Sequence, residues 1–192
     1  LPTLLDVSHE TQATRDAYGV GKKPTDDFGR QCLAARRMSE AGIRFIELTH
    51  TTWDHHSAQA ELLPKRCREV DQPIAALLDD LSDRGLLEDT LVLWGGEFGR
   101  TFTAPHRNGG SGHNNKGYTM WMAGGGVKPG FAIGQTDDDG WEAIDGRIHT
   151  HDLHATMMHL LGLDHERLTY RFAGRDFRLT DVKGRIVREV IA

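Results

Sequence analysis

Apolar residues at Phe28, Cys32, Leu33, Ala35 and Met38 recur at three- and four-residue intervals, the spacing that lines one stripe of a helix. Thr25 or Asp26 can cap that helix, and Gly42 can end it. The pattern then changes. Ile43-Arg-Phe-Ile-Glu-Leu48 reads as a buried strand, followed by the loop His50-Thr-Thr-Trp-Asp-His-His-Ser57. A long helical pattern comes next, over residues 58–84, with Ile74, Leu77, Leu78 and Leu81 on one face. Pro64 or Pro73 would bend it, or Pro73 would start a separate helix. Thr90–Trp94 and Tyr118–Ala123 read as two further strands separated by loop 95–117.

Gly124-Gly-Gly126 and Val127-Lys-Pro-Gly130 then break the chain. Residues 131–150 read as a two-strand excursion that turns at Asp137-Asp-Asp-Gly140. Asp152 can cap a helix over Leu153–Leu161, stopped by Gly162, and a small hairpin is expected around Asp181-Val-Lys-Gly184. Residues 1–24 are polar, with Gly19, Gly21 and Pro24 near their end. The expected organisation is therefore a connecting segment over residues 1–25 and one domain over residues 26–192. The order helix–strand–helix–strand–strand–helix predicts an α/β fold with a mainly parallel sheet.

Composition narrows the function classes. A net charge of -5 over 192 residues argues against a general nucleic-acid binder, which needs a basic face. With Cys32 and Cys67 as the only cysteines, a disulfide scaffold and a four-cysteine zinc site are both excluded. No apolar run approaches the roughly twenty residues of a membrane span. Eleven histidines turn attention to metal ligation and proton transfer.

Four clusters carry candidate chemistry. Asp54 and His56 sit two apart after the predicted strand 43–48, which in extended chain places both on one side. They are candidate ligands for a divalent metal; the alternative is that Asp54 caps the next helix and the histidines face water. His55 should point away. Glu97 follows the strand 90–94 and can ligate a metal, while Arg100 can hold an anionic oxygen; a structural Glu97–Arg100 pair is the alternative. His113 stands just before the next strand as a further ligand, with Asn114, Asn115 and Lys116 placed to contact an anion and His106 more remote. His149, His151 and His154 surround Asp152, where helix capping explains the pattern at least as well.

Several ordered blocks carry a family resemblance: Phe28-Gly-Arg-Gln-Cys-Leu-Ala-Ala-Arg-Arg37, Trp53-Asp-x-His56 and Trp94-Gly-Gly-Glu-Phe-Gly-Arg-Thr101. His113-Asn-x-Lys-Gly117, Gly124-Gly-Gly-Val127, His151-Asp-Leu-His-Ala-Thr156 and Leu160-Leu-Gly-Leu163 follow. Together they resemble the sulfatase-like domain of unknown function 1501 family, a branch of the alkaline phosphatase–sulfatase superfamily. The resemblance implies a three-layer α/β/α fold, here incomplete, as the C-terminal portion of a longer protein. It implies one or two divalent ions (zinc, calcium or manganese) held by Asp54, His56, Glu97 and His113. Arg100, Lys116 and Asn114 would then hold a sulfate or phosphate ester, as a small molecule or on a polymer. Export or a periplasmic location follows from the same resemblance, and homo-oligomerisation across an exposed sheet edge stays open.

The chain also departs from that pattern. Phe98 stands where the superfamily's second histidine ligand would be, Glu97 is longer than the aspartate it replaces, and no nucleophile is recognisable. The expected activity is thus metal-dependent ester hydrolysis by a portion that is inactive alone, with a non-catalytic binding or assembly domain as the alternative.

Overall fold

The computed structural model describes residues 2–102 and 108–192. Its helices are α1 (Pro2–Leu5), α2 (Gln12–Ala17), α3 (Asp26–Glu40), α4 (Gln59–Asp83) and α5 (Thr150–Leu160). The strands are β1 (Val92–Trp94), β2 (Gly99–Arg100), β3 (His113–Asn114), β4 (Trp121–Ala123), β5 (Gln135–Thr136), β6 (Ala143–Asp145), β7 (Thr169–Phe172) and β8 (Arg175–Arg178). The chain divides into two compact units: residues 1–90 with 100–113, and residues 91–99 with 114–192.

In the first unit α3 packs on α4, burying Phe28, Cys32 and Leu33 from one helix and Val70, Leu77 and Leu81 from the other. α3 keeps the predicted stripe, and its first turn carries Asp26 and Asp27, where the helix dipole favours negative charge. α4 runs unbroken through Pro64 and Pro73. Residues 2–25, read above as a connecting segment, carry α1 and α2 and bury Val7, Tyr18 and Val20. An ion network ties them to the helix pair. Arg36 is almost fully buried; its Nη2 lies 2.8 Å from Glu10, its Nη1 2.6 Å from Glu40 and its Nε 3.0 Å from Asp80. Tyr18 donates its hydroxyl to the same Asp80 at 3.0 Å.

The second unit is built from short antiparallel pieces and one helix. β1 pairs with β4 (Leu93 opposite Met122), β5 with β6, and β7 with β8. α5 begins with a capping box: His149 Nδ1 accepts the His151 N–H at 3.1 Å, and Asp152 Oδ2 accepts the His149 N–H at 3.0 Å. Thr156 Oγ1 accepts the Val187 N–H at 2.9 Å, and His165 Nδ1 lies 3.0 Å from Thr180 Oγ1 in the buried interior.

The expected three-layer α/β/α architecture with a mainly parallel sheet is therefore corrected. Among the described residues every sheet has two strands and none is parallel. A parallel neighbour needs a crossover of a dozen or more residues, usually a helix. No described helix lies between β1 and β4, so β4 returns beside β1 in the opposite sense. The expected strand over 43–48 is not formed: the segment pairs with no described strand, bends at Arg44 and leaves Phe45 77% exposed. Its apolar run has the composition of a strand; among the described residues no adjacent strand supplies the ladder. No described helix is long and apolar enough to cross a membrane.

Candidate metal centre

Three loop segments of the first unit build the site. After Trp53 the chain makes two successive tight turns: His55 N–H donates to Trp53 O at 2.9 Å, and His56 N–H donates to Asp54 O at 3.0 Å. Asp54 and His56 thereby share one side, through turns instead of the extended chain that the spacing suggested. His55 goes the other way and is buried. Its carbonyl accepts the Ser111 N–H at 3.0 Å, and Ser57 bridges to Gly109, so loop 53–57 is tied to segment 109–111. Gly110 permits this approach, because a Cβ there would lie 2.0 Å from the carbonyl carbon of His56. Farther along, Thr101 N–H donates to Gly112 O at 3.0 Å and Gly112 N–H donates to Thr101 Oγ1 at 2.9 Å, placing Arg100 and His113 beside the loop.

Three potential ligand atoms converge there. His56 Nε2 and His113 Nε2 stand 3.1 Å apart, and each is 3.0 Å from Asp54 Oδ1. With metal–ligand bonds of about 2.0–2.1 Å, adjacent donors stand about 2.8–3.0 Å apart around an octahedral ion and about 3.3–3.4 Å apart around a tetrahedral one. The triangle fits one face of the octahedron and is slightly tight for the tetrahedron. Two imidazoles and a carboxylate suit zinc, manganese or iron better than calcium, which prefers an all-oxygen shell.

Arg100 organises the carboxylate. Its Nη1 donates to Asp54 Oδ1 at 2.6 Å, while Nε donates to Ser111 Oγ at 3.0 Å and Nη2 to Ser111 O at 2.6 Å. The Arg100 hydrogen bond, seconded by that of His113, holds the Asp54 carboxyl down at about 2. The group is thus an anion throughout the neutral range, as a metal ligand must be. Burial, with the neighbouring guanidinium groups of Arg100 and Arg66, holds the His55 imidazole below its ordinary value.

The remaining predicted residues stand elsewhere. Glu97 is exposed and belongs to the second unit; the cluster of candidate ligands among the described residues consists of Asp54, His56 and His113 without it. Asn114 is buried, where Nδ2 donates to Trp141 O at 2.9 Å and Oδ1 accepts the Lys116 N–H at 3.0 Å. Its amide thereby braces the segment that follows β3. Lys116 Nζ lies 5.6 Å over the Trp141 ring. His106 falls outside the described residues. The alternative role for Asp54 as a helix cap is not realised, since α4 starts after Ala58, whose N–H donates to Asn108 O at 2.8 Å. Ser111, which fixes Arg100, carries no sequence signal beyond its place in a glycine-rich run.

No curated protein and no solved structure matches this chain. A family model does, over residues 1–191: the chain belongs to the family described as Protein of unknown function (DUF1501).

Proposed function

We propose that Asp54, His56 and His113 hold one divalent metal ion, and that the protein uses it to hydrolyse phosphate or sulfate esters. The observation that carries this reading is the convergence of the three donor atoms, all within 4.8 Å of one another. A bound ion would supply Lewis acidity to an ester oxygen. Arg100 orients the Asp54 carboxylate and keeps it charged, and Ser111 orients Arg100 in turn, the kind of support that tunes ligand affinity. Kinship with the alkaline phosphatase–sulfatase superfamily belongs to the same proposal, resting on the Trp53–His56 and Trp94–Thr101 motifs and not on architecture.

The open setting of the triad favours a second reading. Among the described residues the side chains of Asp54, His56 and His113 are 62%, 46% and 47% exposed, which leaves them open to water. A metal held there could instead order a surface for binding or assembly.

Elemental analysis by plasma mass spectrometry on protein purified without chelator tests both readings, with Asp54→Ala and His113→Ala alongside. Bound metal in the parent that is lost in both variants supports the site; a well-folded parent without metal, even after dialysis against zinc or manganese, sinks it. Turnover of p-nitrophenyl phosphate or p-nitrophenyl sulfate by the metal-loaded protein, abolished in both variants, selects the hydrolase. Metal without turnover selects the binding domain.

A further inference from the structure

The hairpin β7–β8 carries an apolar face that stands exposed among the described residues. Its turn residues Ala173 and Gly174 have φ of +48° and +81°, the left-handed pair that a two-residue hairpin turn requires. Tyr170 stands opposite Phe177, and Phe172 opposite Arg175. Strand alternation therefore gathers Tyr170, Phe172 and Phe177 on one face, and the exposed Leu168 and Leu179 flank the two strands at the open end. Thr169, Arg171, Asp176 and Arg178 occupy the other face, where Arg171 pairs with Asp176 at 3.2 Å. Tyr170 is 71% exposed, Phe172 63% and Leu179 60%. A two-stranded hairpin is marginal in water unless its apolar face packs on something, and a contiguous exposed patch of this kind marks an interaction surface.

We propose that this face binds the same face of a second copy of the chain, forming a two-fold symmetric dimer. The exposed apolar area of the five side chains is on the order of 650 Å², close to the roughly 800 Å² each partner contributes to a stable interface. A two-fold interface also demands a patch that tolerates itself. This one does: Arg175, the cation on the apolar face, is neutralised by Asp181 at 2.8 Å and lies 4.6 Å over the Phe177 ring. The same pairing argues against a lipid surface as occupant. Anionic lipid would call for free cations around the apolar patch. Here Arg171, Arg175 and Arg178 are each paired with a carboxylate, the last with Glu166 at 3.3 Å. The proposal is independent of the metal site.

Sedimentation equilibrium of the full chain over a broad concentration range tests it. The parent should show reversible dimerisation. Tyr170→Ser combined with Phe172→Ser, and separately Phe172→Lys, should weaken it by about 100-fold or more, the loss expected from removing aromatic anchors at an interface centre. Circular dichroism should be unchanged in both, and Thr169→Lys on the opposite face should dimerise like the parent. A parent that stays monomeric throughout would overturn the proposal, as would a dimer that survives both apolar-face variants. So would a monomer that co-sediments with phosphatidylserine vesicles, which would assign the face to a membrane surface.

Discussion

Arg100 and Asp54, 46 positions apart in sequence, meet through a 2.6 Å hydrogen bond from Nη1 to Oδ1, on the oxygen that faces His56 and His113. The guanidinium therefore fixes both the direction and the charge of the central carboxylate. Asp54 is held at about 2 against an ordinary 3.8, first by Arg100 and next by His113. Its folded value lies below the unfolded one. The linkage thus favours the folded site above pH 3.8 and is lost as pH falls towards 2.

Arg100→Gln should release that hold. Carbon-detected NMR titration of the Asp54 carboxyl should find its midpoint near 2 in the parent and shifted upward, towards 3.8, in the variant. An unchanged midpoint would mean that the histidines alone hold the carboxylate. In metal-binding titrations, the same variant should weaken affinity by about 10–100-fold, the usual effect of losing a group that supports a ligand.

Arg36 supplies the second prediction. It is buried among Glu10, Glu40 and Asp80, and removing one member of such a network strands the others without compensation. Burial would raise the Glu10 carboxyl, but hydrogen bonds from Arg37 and Arg36 outweigh it and hold the group below its ordinary value. Arg36→Ala should cost about 3–5 kcal/mol in urea unfolding, against a far smaller loss for Lys65→Ala, whose pairing with Glu61 is exposed. A loss for Arg36→Ala as small as that for Lys65→Ala would show that water reaches the network.

The helices α3, α4 and α5 were legible in the sequence because their signals are local, whereas α1 and α2 fell in the stretch read as a connecting segment. The stripe from Phe28 to Met38 and the turn residues around α5 need no knowledge of distant partners. Strand positions within 90–94, 118–123 and 131–150 were legible too, but their pairing was not, because pairing is a property of two segments. Residues 43–48 have the composition of a strand and find no neighbour among the described residues, while Val92–Trp94 found one that runs the opposite way. The candidate site divides along the same line. Spacing brought Asp54 and His56 together, and position before a predicted strand singled out His113. What spacing could not convey was that Arg100 would cross to Asp54, with Ser111 bracing it, or that the Asn114 amide would be consumed by Trp141 and Lys116.

The two cysteines should separate cleanly by reactivity. Cys32 is buried in the α3–α4 core, and burial pushes its thiol up to about 12; Cys67 is exposed on α4. Only the thiolate reacts with a disulfide reagent, so access and ionisation both protect Cys32. Native protein should titrate one thiol with dithiobisnitrobenzoate at pH 8, and urea-unfolded protein two. Cys67→Ser should leave the native protein silent. Two fast-reacting thiols in the native parent would show that the α3–α4 packing opens readily.

Asp152 binds together the start of α5 and the segment before the C-terminus. Its Oδ2 accepts the His149 N–H at 3.0 Å and its Oδ1 the Arg185 N–H at 2.7 Å. Burial raises this carboxyl, but the two backbone donors, Arg185 first, outweigh it and leave the group below its ordinary 3.8. The sign follows directly: with the folded value depressed, the stabilisation is complete above 3.8 and disappears as pH falls below it. Asp152→Ala should cost more than His149→Ala, because the first removes acceptors for two backbone donors and the second removes only one cap bond, worth about 1 kcal/mol. Unfolding in urea at pH 7 should show that order. At pH 2.5 the gap between parent and Asp152→Ala should shrink, since below 3.8 the unfolded chain takes up the carboxyl proton more readily than the folded one. A gap that holds its size from pH 7 to pH 2.5 would mean that Asp152 contributes through packing and not through its charge.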